Sequence, residues 1–253
     1  MGGILDRYLN RKVLARWQRA GQQADSSSLS ELRRQRDNAR QLRAQLDRLI
    51  QRADARLTRP LIGSSQFPRP LGTDWSWRPD LWRGPLARQG LASAPRKAAL
   101  DGQVTLFHDC DLAEIVLRQT RNRRDNDLAP YSLMAEVLEF NGSFLSLSIE
   151  LPSDGATGLT GQHLMRIDTV IEAERPIAGF VRLNIQHGPN TEQVLRELDM
   201  STDAVSVDFD LAHLELNERR IEKVWLDVIF NNPAMNRITL RDLTFCRHHR
   251  ADM

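Results

Sequence analysis

From residue 101 onward, apolar residues recur at every second position, and no long amphipathic helix interrupts them. Strand side chains alternate between two faces, so this period fits a sheet with one face buried. The runs 103–109, 113–120, 131–140, 143–151, 163–174, 177–187, 204–211, 222–230 and 237–246 each read as strands. With turn signals between them, they predict an antiparallel sandwich over residues 101–250. Alternation points Val181, Leu183 and Ile185 inward, with Val205, Val207, Phe209 and Leu211, and with Val224, Leu226, Val228 and Phe230. Trp225 and Asp227 then share the opposite face. Asn141-Gly142 reads as the hairpin turn between the third and fourth runs. Residues 191–198 are expected to make at most a short helix.

The first 58 residues carry the helical period instead. Ile4, Leu5, Tyr8, Leu9, Val13 and Trp17 mark a helix over about 3–20, and Gly21 supplies its stop. A second helix is expected over 28–57, opened by the capping pattern Ser28-x-x-Glu31. Leu32, Ala39, Leu46 and Ala53 alternate there with Leu42 and Leu49, and Gln35 and Arg56 interrupt the series. That is an a/d seam with polar ends. Three readings stay open: a helical hairpin with a solvated Arg face, a coiled coil for self-association through residues 28–57, and a basic helix for nucleic acid or a membrane surface.

Residues 59–100 break both periods. Six of the 11 prolines fall here, and proline fixes φ and removes an amide donor. The same stretch holds Trp75, Trp77 and Trp82, three of the five tryptophans. So much aromatic surface is foreign to a disordered segment. Residues 60–86 are therefore expected to lie ordered and extended over another unit, and 87–100 to form a linker. The three indoles form either a stacking platform for a sugar or base, or an arm that staples the helices to the β-domain.

Charge divides the chain in the same places. Net charge is +8 over residues 1–60, +4 over 61–100 and −10 over 101–253. The cations are 32 Arg against 3 Lys, a skew typical of a GC-rich genome, which weakens Arg-richness as a sign of phosphate recognition. No run of about 18 apolar residues could span a membrane, and the start has no secretory pattern. A cytoplasmic location is the expectation.

Catalytic chemistry is thinly marked. His108-Asp109-Cys110 would place a thiol and an imidazole on one strand face, yet a lone Cys is more often a small buried hydrophobe. Cys110 and Cys246 could meet if the first and last strands are neighbours. No His has zinc spacing, His248-His249 reads as a disordered tail, and no loop concentrates acids for calcium. No metal, cofactor or enzyme activity is expected. The most ligand-like loop is Gln186 to Glu192, with His187 and Asn190, flanked on the polar face by Arg182 and Asn184.

The strands Phe180–Ile185, Val224–Phe230 and Ile238–Phe245 resemble those of the jelly-roll sandwich in carbohydrate-binding modules and galactose-binding-like domains. That resemblance implies a jelly-roll fold, so the chain reads as mainly β, a jelly roll preceded by a helical hairpin or coiled-coil segment, and by fold analogy alone a glycan is the first-choice ligand. Phe67-Pro68-Arg69-Pro70, Gly72 to Pro79, Leu106 to Cys110 and His187 to Glu192 resemble a family of alphaproteobacterial proteins of unknown function. Three units are expected: 1–58 helical, 59–100 arm and linker, 101–250 sandwich. The function read from this is non-enzymatic binding and assembly, with Trp75, Trp77, Trp82, Arg182, Asn184, His187 and Asn190 as ligand contacts. The alternatives are a spike or attachment component of a phage-like particle, and a sandwich-based hydrolase or transferase.

Overall fold

The structure, a computed structural model, describes residues 4–57, 67–111 and 113–250. It divides into two compact units, Met1–Ile50 and Gln51–Met253.

The first unit is helical. Helix α1 spans Ile4–Gln22 and α2 spans Leu29–Leu57. Ser28 caps α2, its Oγ accepting the Glu31 amide at 3.3 Å. The reciprocal half of the capping box does not form. Glu31 turns its carboxylate forward to Arg34 and Gln35, at 2.5 and 2.8 Å. Leu42, Leu46 and Leu49 of the seam are 37, 47 and 63% exposed. Ala53 and Arg56 of that seam, and Ile4, Leu5, Tyr8 and Leu9 of α1, fall outside the residues whose side chains are described.

The second unit is the sandwich. Its strands are β1 (Thr73–Trp77), β2 (Gly90–Leu91), β3 (Lys97–Ala99), β4 (Val104–His108), β5 (Ile115–Arg121), β6 (Tyr131–Val137) and β7 (Phe144–Glu150). They continue as β8 (His163–Ala173), β9 (Gly179–His187), β10 (Asn190–Leu198), β11 (Ala204–Asp210), β12 (Ile221–Asn231) and β13 (Asn236–His249). One six-stranded sheet runs β10-β9-β12-β7-β4-β3. The seven-stranded sheet runs β11-β8-β13-β6-β5-β2, with β1 also paired to β13. From β6 to β9 each strand crosses to the other sheet, and β10 to β13 do so again, the connectivity of a jelly roll.

The core lies between the sheets and uses the inward sets that alternation assigns. β12 pairs with β9 so that Leu226 opposes Leu183 and Val228 opposes Val181. All four are buried, as are Val205, Val207 and Phe209 of β11. Each such side chain contributes about 1.5–3 kcal/mol when removed from water.

Four local expectations fail, each for a physical reason. Residues 191–198 belong to β10, an edge strand folded onto β9 by the two-residue turn Gly188-Pro189. Gly188 has φ +60, as the first central position of such a turn demands. Val194 packs against the core and Leu198 is buried, so tertiary packing overrides helical propensity, while Glu192, Arg196 and Glu197 keep the edge from recruiting another strand.

Residues 87–100 are not a linker. Gly90 and Leu91 pair with β5, Lys97 to Ala99 pair with β4, and each short strand closes a sheet edge.

Asn141-Gly142 is not a hairpin turn. β6 and β7 lie in different sheets, and neither turn residue has positive φ. Gly142 is needed for close approach instead, since a Cβ there would sit 2.8 Å from the Cys110 amide nitrogen and against the Asp109 carboxylate.

His248 and His249 are not a loose tail. They continue β13, opposite Leu164 and His163 of β8.

The proline-rich arm is part of the sandwich. Pro70 and Pro79 stand outside β1, so no ladder bond is lost. Residues 60–66 of the arm lie outside the described residues. Arg78 pairs with Asp242 through two buried contacts, Nε to Oδ1 at 2.9 Å and Nη2 to Oδ2 at 2.8 Å. Cys110 and Cys246 are both buried and are not bonded to each other, and the Cys110 thiol donates to Asn141 Oδ1 at 2.8 Å. His108 Nε2 lies 3.2 Å from the Ala94 carbonyl, so the motif around it serves packing. Among the described residues no helix is long and apolar enough to cross a membrane.

Candidate functional site

The outward positions of β12 are Lys223, Trp225, Asp227 and Ile229. Period two fixes that face, because Val224, Leu226, Val228 and Phe230 occupy the core. β12 is a central strand, so its outward residues meet neighbours on both sides. Asp227 lies opposite Arg182 of β9 and Ser148 of β7. Trp225 lies opposite Asn184 and Glu150, and Ile229 lies opposite Phe180 and Ser146. One strand further out, Phe107 of β4 opposes Ser146. All of these but Asn184 and Phe180 line an open cleft of about 670 Å³ along the outer face of the six-stranded sheet.

The chemistry of the cleft is an aromatic surface beside a fixed polar network. Trp225 is half-buried, and Lys223 Nζ sits 5.7 Å from its ring centroid. That ammonium also reaches Glu150 Oε2 at 2.7 Å. Arg182 donates from Nε and Nη2 to Asp227 Oδ2, at 3.1 and 2.9 Å. Asn184 Nδ2 donates to the same oxygen at 2.9 Å. A guanidinium has five N–H donors, so Arg182 keeps further donors at the cleft wall. The two carboxylates lining the cleft, Asp227 and Glu150, each carry a cation partner.

Of the expected contacts, only Arg182 lines this cleft. Asn184 lies beneath it, fully buried, and its Nδ2 also reaches the carbonyls of Arg182 and Trp225 at 3.1 and 3.3 Å. It positions Asp227 and does not face solvent.

The three arm tryptophans sit on the other sheet and form no open platform. Trp82 is fully buried and donates through Nε1 to the Leu240 carbonyl at 3.0 Å. Trp77 opposes Phe245 in register, with ring centroids 5.4 Å apart. Trp75 stacks on Trp77 at 6.4 Å, and its indole fills the space over Gly155. Just before them in sequence, Asp74 takes Arg247 Nε and Nη2 at 3.1 and 2.9 Å. Burial opposes ionisation of Asp74, but this clamp outweighs it and holds the carboxyl below the usual range.

His187 and Asn190 lie at the β9–β10 turn, away from the cleft lining. His187 is buried, its Nδ1 accepting the Asn217 amide at 3.4 Å. The Gly188 amide donates to the Arg220 carbonyl at 3.0 Å, so this turn is held by the 217–220 segment.

A hollow of about 510 Å³ on the seven-stranded sheet is lined by Phe67, Arg69, Arg166, Asp168 and Ser206 among others. Its polar groups satisfy one another, Asp168 taking both Arg166 and the Ser206 hydroxyl. Its one aromatic, Phe67, lies against the guanidiniums of Arg69 and Arg78, at 5.2 and 5.0 Å. The cleft at Trp225 is the better candidate, because its ring and its donors face the same open space.

Sequence reasoning missed Trp225, Phe107, Ser146, Ser148 and Lys223 as cleft residues. The signal present was the parity of β12, which put Trp225 and Asp227 on one outward face.

Comparison with known proteins gives likeness without close kinship. The chain is similar to the enzymatically active domain of tailspike protein 4 of bacteriophage CBA120, at 5% identity and a TM-score of 0.41, over 57% of this chain and 19% of that one. It is similar to a carbohydrate-binding module of the β-sandwich superfamily, at 13% identity and a TM-score of 0.39, over 63% of each chain. It is also similar to the xylan-binding domain CBM22-1 of Paenibacillus barcinonensis Xyn10C, at 9% identity and a TM-score of 0.36, over 64% of this chain and 95% of that one. The chain thus spans less than two thirds of the first two of these structures. No curated protein matches it. A family model does match, over residues 1–253, and the chain belongs to that family, DUF6478, a family of unknown function.

Proposed function

We propose that this chain is a non-enzymatic binding and assembly protein whose sandwich holds a glycan in the cleft at Trp225. The observation that carries this is the juxtaposition of the Trp225 ring with the Arg182–Asp227–Asn184 network in one open cleft of about 670 Å³. A pyranose has an apolar C–H face and an equatorial rim of hydroxyls. An indole supports the face, and charged groups fixed by one another bond the rim without reorganising. The cleft is open along the sheet, which suits a chain of sugar units more than a small enclosed molecule. Each carboxylate in it is tied to a cation, an arrangement suited to holding hydroxyls.

The helical unit supplies the assembly half of the proposal. Leu42, Leu46 and Leu49 lie on one helical stripe and are exposed in the single chain. A second copy of this segment would cover them.

The test is calorimetric titration of the full chain with β-linked and α-linked oligosaccharides chosen from a glycan array, beside Trp225→Ala. Saturable binding lost in the variant supports the reading. Binding equal in both proteins, or none across the array, overturns it.

A further inference from the structure

On the other sheet from the cleft, three potential metal ligands meet at one end of the seven-stranded sheet. His163 opens β8 and His249 ends β13, and the register places them directly opposite each other. Opposed residues on antiparallel strands share a face, with Cβ atoms about 5 Å apart. Their ring centroids are 4.3 Å apart. On the far side of β13, the pairing of β1 shifts register between Thr73 and Trp75, which re-aims Asp74. Its Oδ2 lies 3.7 Å from His163 Nε2. One ligand atom from each of Asp74, His163 and His249 lies within 4.8 Å of the other two.

We propose that Asp74, His163 and His249 form a binding site for a divalent transition ion of the Zn²⁺ class. A second observation points the same way. His163 is only 3% exposed, and its Nε2 is buried without a hydrogen-bond partner while facing the cluster. A buried polar atom left unpaired is costly, and an ion at this place satisfies it. The other ring nitrogen is already held: Nδ1 accepts the Thr160 amide at 3.1 Å and lies 2.9 Å from Thr160 Oγ1. On metal binding the ring proton passes from Nε2 to Nδ1, where Thr160 Oγ1 accepts it and the amide gives up its contact. That is the outer-shell support a metal-bound imidazole ordinarily has.

The donor set selects the ion. Two imidazoles and one carboxylate suit Zn²⁺, Co²⁺ or Ni²⁺, whereas Ca²⁺ and Mg²⁺ want more oxygens. Arg247 clamps Asp74 and offsets its charge, so binding here rests on the coordinate bonds of the two imidazoles. Ligands of one tetrahedral zinc stand about 3.3 Å apart, so the cluster must contract. His249 is exposed and can close on the buried His163 and the clamped Asp74. The ion would then tie β8, β13 and β1 together and fasten the arm to the sandwich.

The experiment is titration of the intact, untagged chain with Zn²⁺ alone, followed by calorimetry and thermal unfolding, with Co²⁺ as a visible-absorbing substitute. One equivalent should bind, the unfolding midpoint should rise by about 5 °C at a hundredfold excess over Kd, and Co²⁺ should show ligand-field bands. His249→Ala should weaken binding at least tenfold while its metal-free unfolding midpoint stays unchanged. His248→Ala, on the opposite face of β13, should bind as the parent does. Absence of saturable Zn²⁺ binding to the parent overturns the proposal, and so does equal affinity in the parent and His249→Ala.

Discussion

Arg182 and Asp227 face each other across β9 and β12, joined through Arg182 Nε and Nη2 to a single carboxylate oxygen. Asn184 braces that oxygen from beneath. The pair therefore does two things. It fills the outer face of a central strand, and it fixes donors beside Trp225.

The first prediction concerns that pair. Asp227→Ala leaves the buried Asn184 amide and the half-exposed Arg182 without their shared acceptor. A loss of about 2 kcal/mol is expected in urea unfolding, less than for a fully buried ion pair because Arg182 keeps access to water. Arg182→Ala should destabilise less and weaken glycan binding more. Equal stability of Asp227→Ala and the parent would show that the network is not formed.

A second prediction concerns the arm. Arg78 and Asp242 are buried together, and removing one leaves the other uncompensated. Arg78→Ala should cost about 3 kcal/mol in chemical denaturation. Trp82→Ala should cost about 3–5 kcal/mol, from a large cavity and the lost bond to Leu240. Changes below about 1 kcal/mol in both would mean that the arm is not integral to the sandwich.

A third concerns alkaline pH. Burial, with the Asp168 charge adding to it, pushes the Cys246 thiol up to about 11. The unfolded thiol ionises near 8.5, so above that pH the unfolded state gives up a proton that the folded state retains. Stability should fall as pH rises from about 8.5 toward 11. Cys246→Ala should remove that slope. Cys246 should also resist alkylation at pH 8 until the chain unfolds, whereas rapid alkylation of the native protein would contradict its burial.

A fourth concerns assembly. The full chain should have a light-scattering mass that is a multiple of 28.9 kDa. Residues 67–253 should be monomeric, as should the full chain carrying Leu42→Lys and Leu49→Lys. A truncation at residue 101 would be a poor probe, because it deletes β1, β2 and β3 from both sheets. A full chain of monomer mass would remove the assembly half of the proposal.

Much of the core was legible because period two is a local property. Val181, Leu183 and Ile185, or Val224 to Phe230, declare their face without reference to any partner. The pairing of strands is not local, and that is where reading failed. Asn141-Gly142 has a hairpin's residues, yet the chain there changes sheets, and the glycine serves close approach to Cys110. Glu192 to Leu198 carries helix formers, yet Gly188-Pro189 folds it onto β9. The site failed for the same reason. Trp75, Trp77 and Trp82 stand out by density, but β13 and the core absorb them. Trp225 is one indole in a strand, and it becomes the centre of a cleft only when β7 and β9 bring Glu150, Ser148 and Arg182 alongside.

Oligosaccharide binding to the parent and to Trp225→Ala, measured side by side at equal folded stability, tests the central claim most directly. The account predicts saturable binding to the parent and at least tenfold weaker binding to the variant, a loss of about 1.4 kcal/mol or more. Undiminished binding in Trp225→Ala would contradict it and place any glycan site elsewhere on the sandwich.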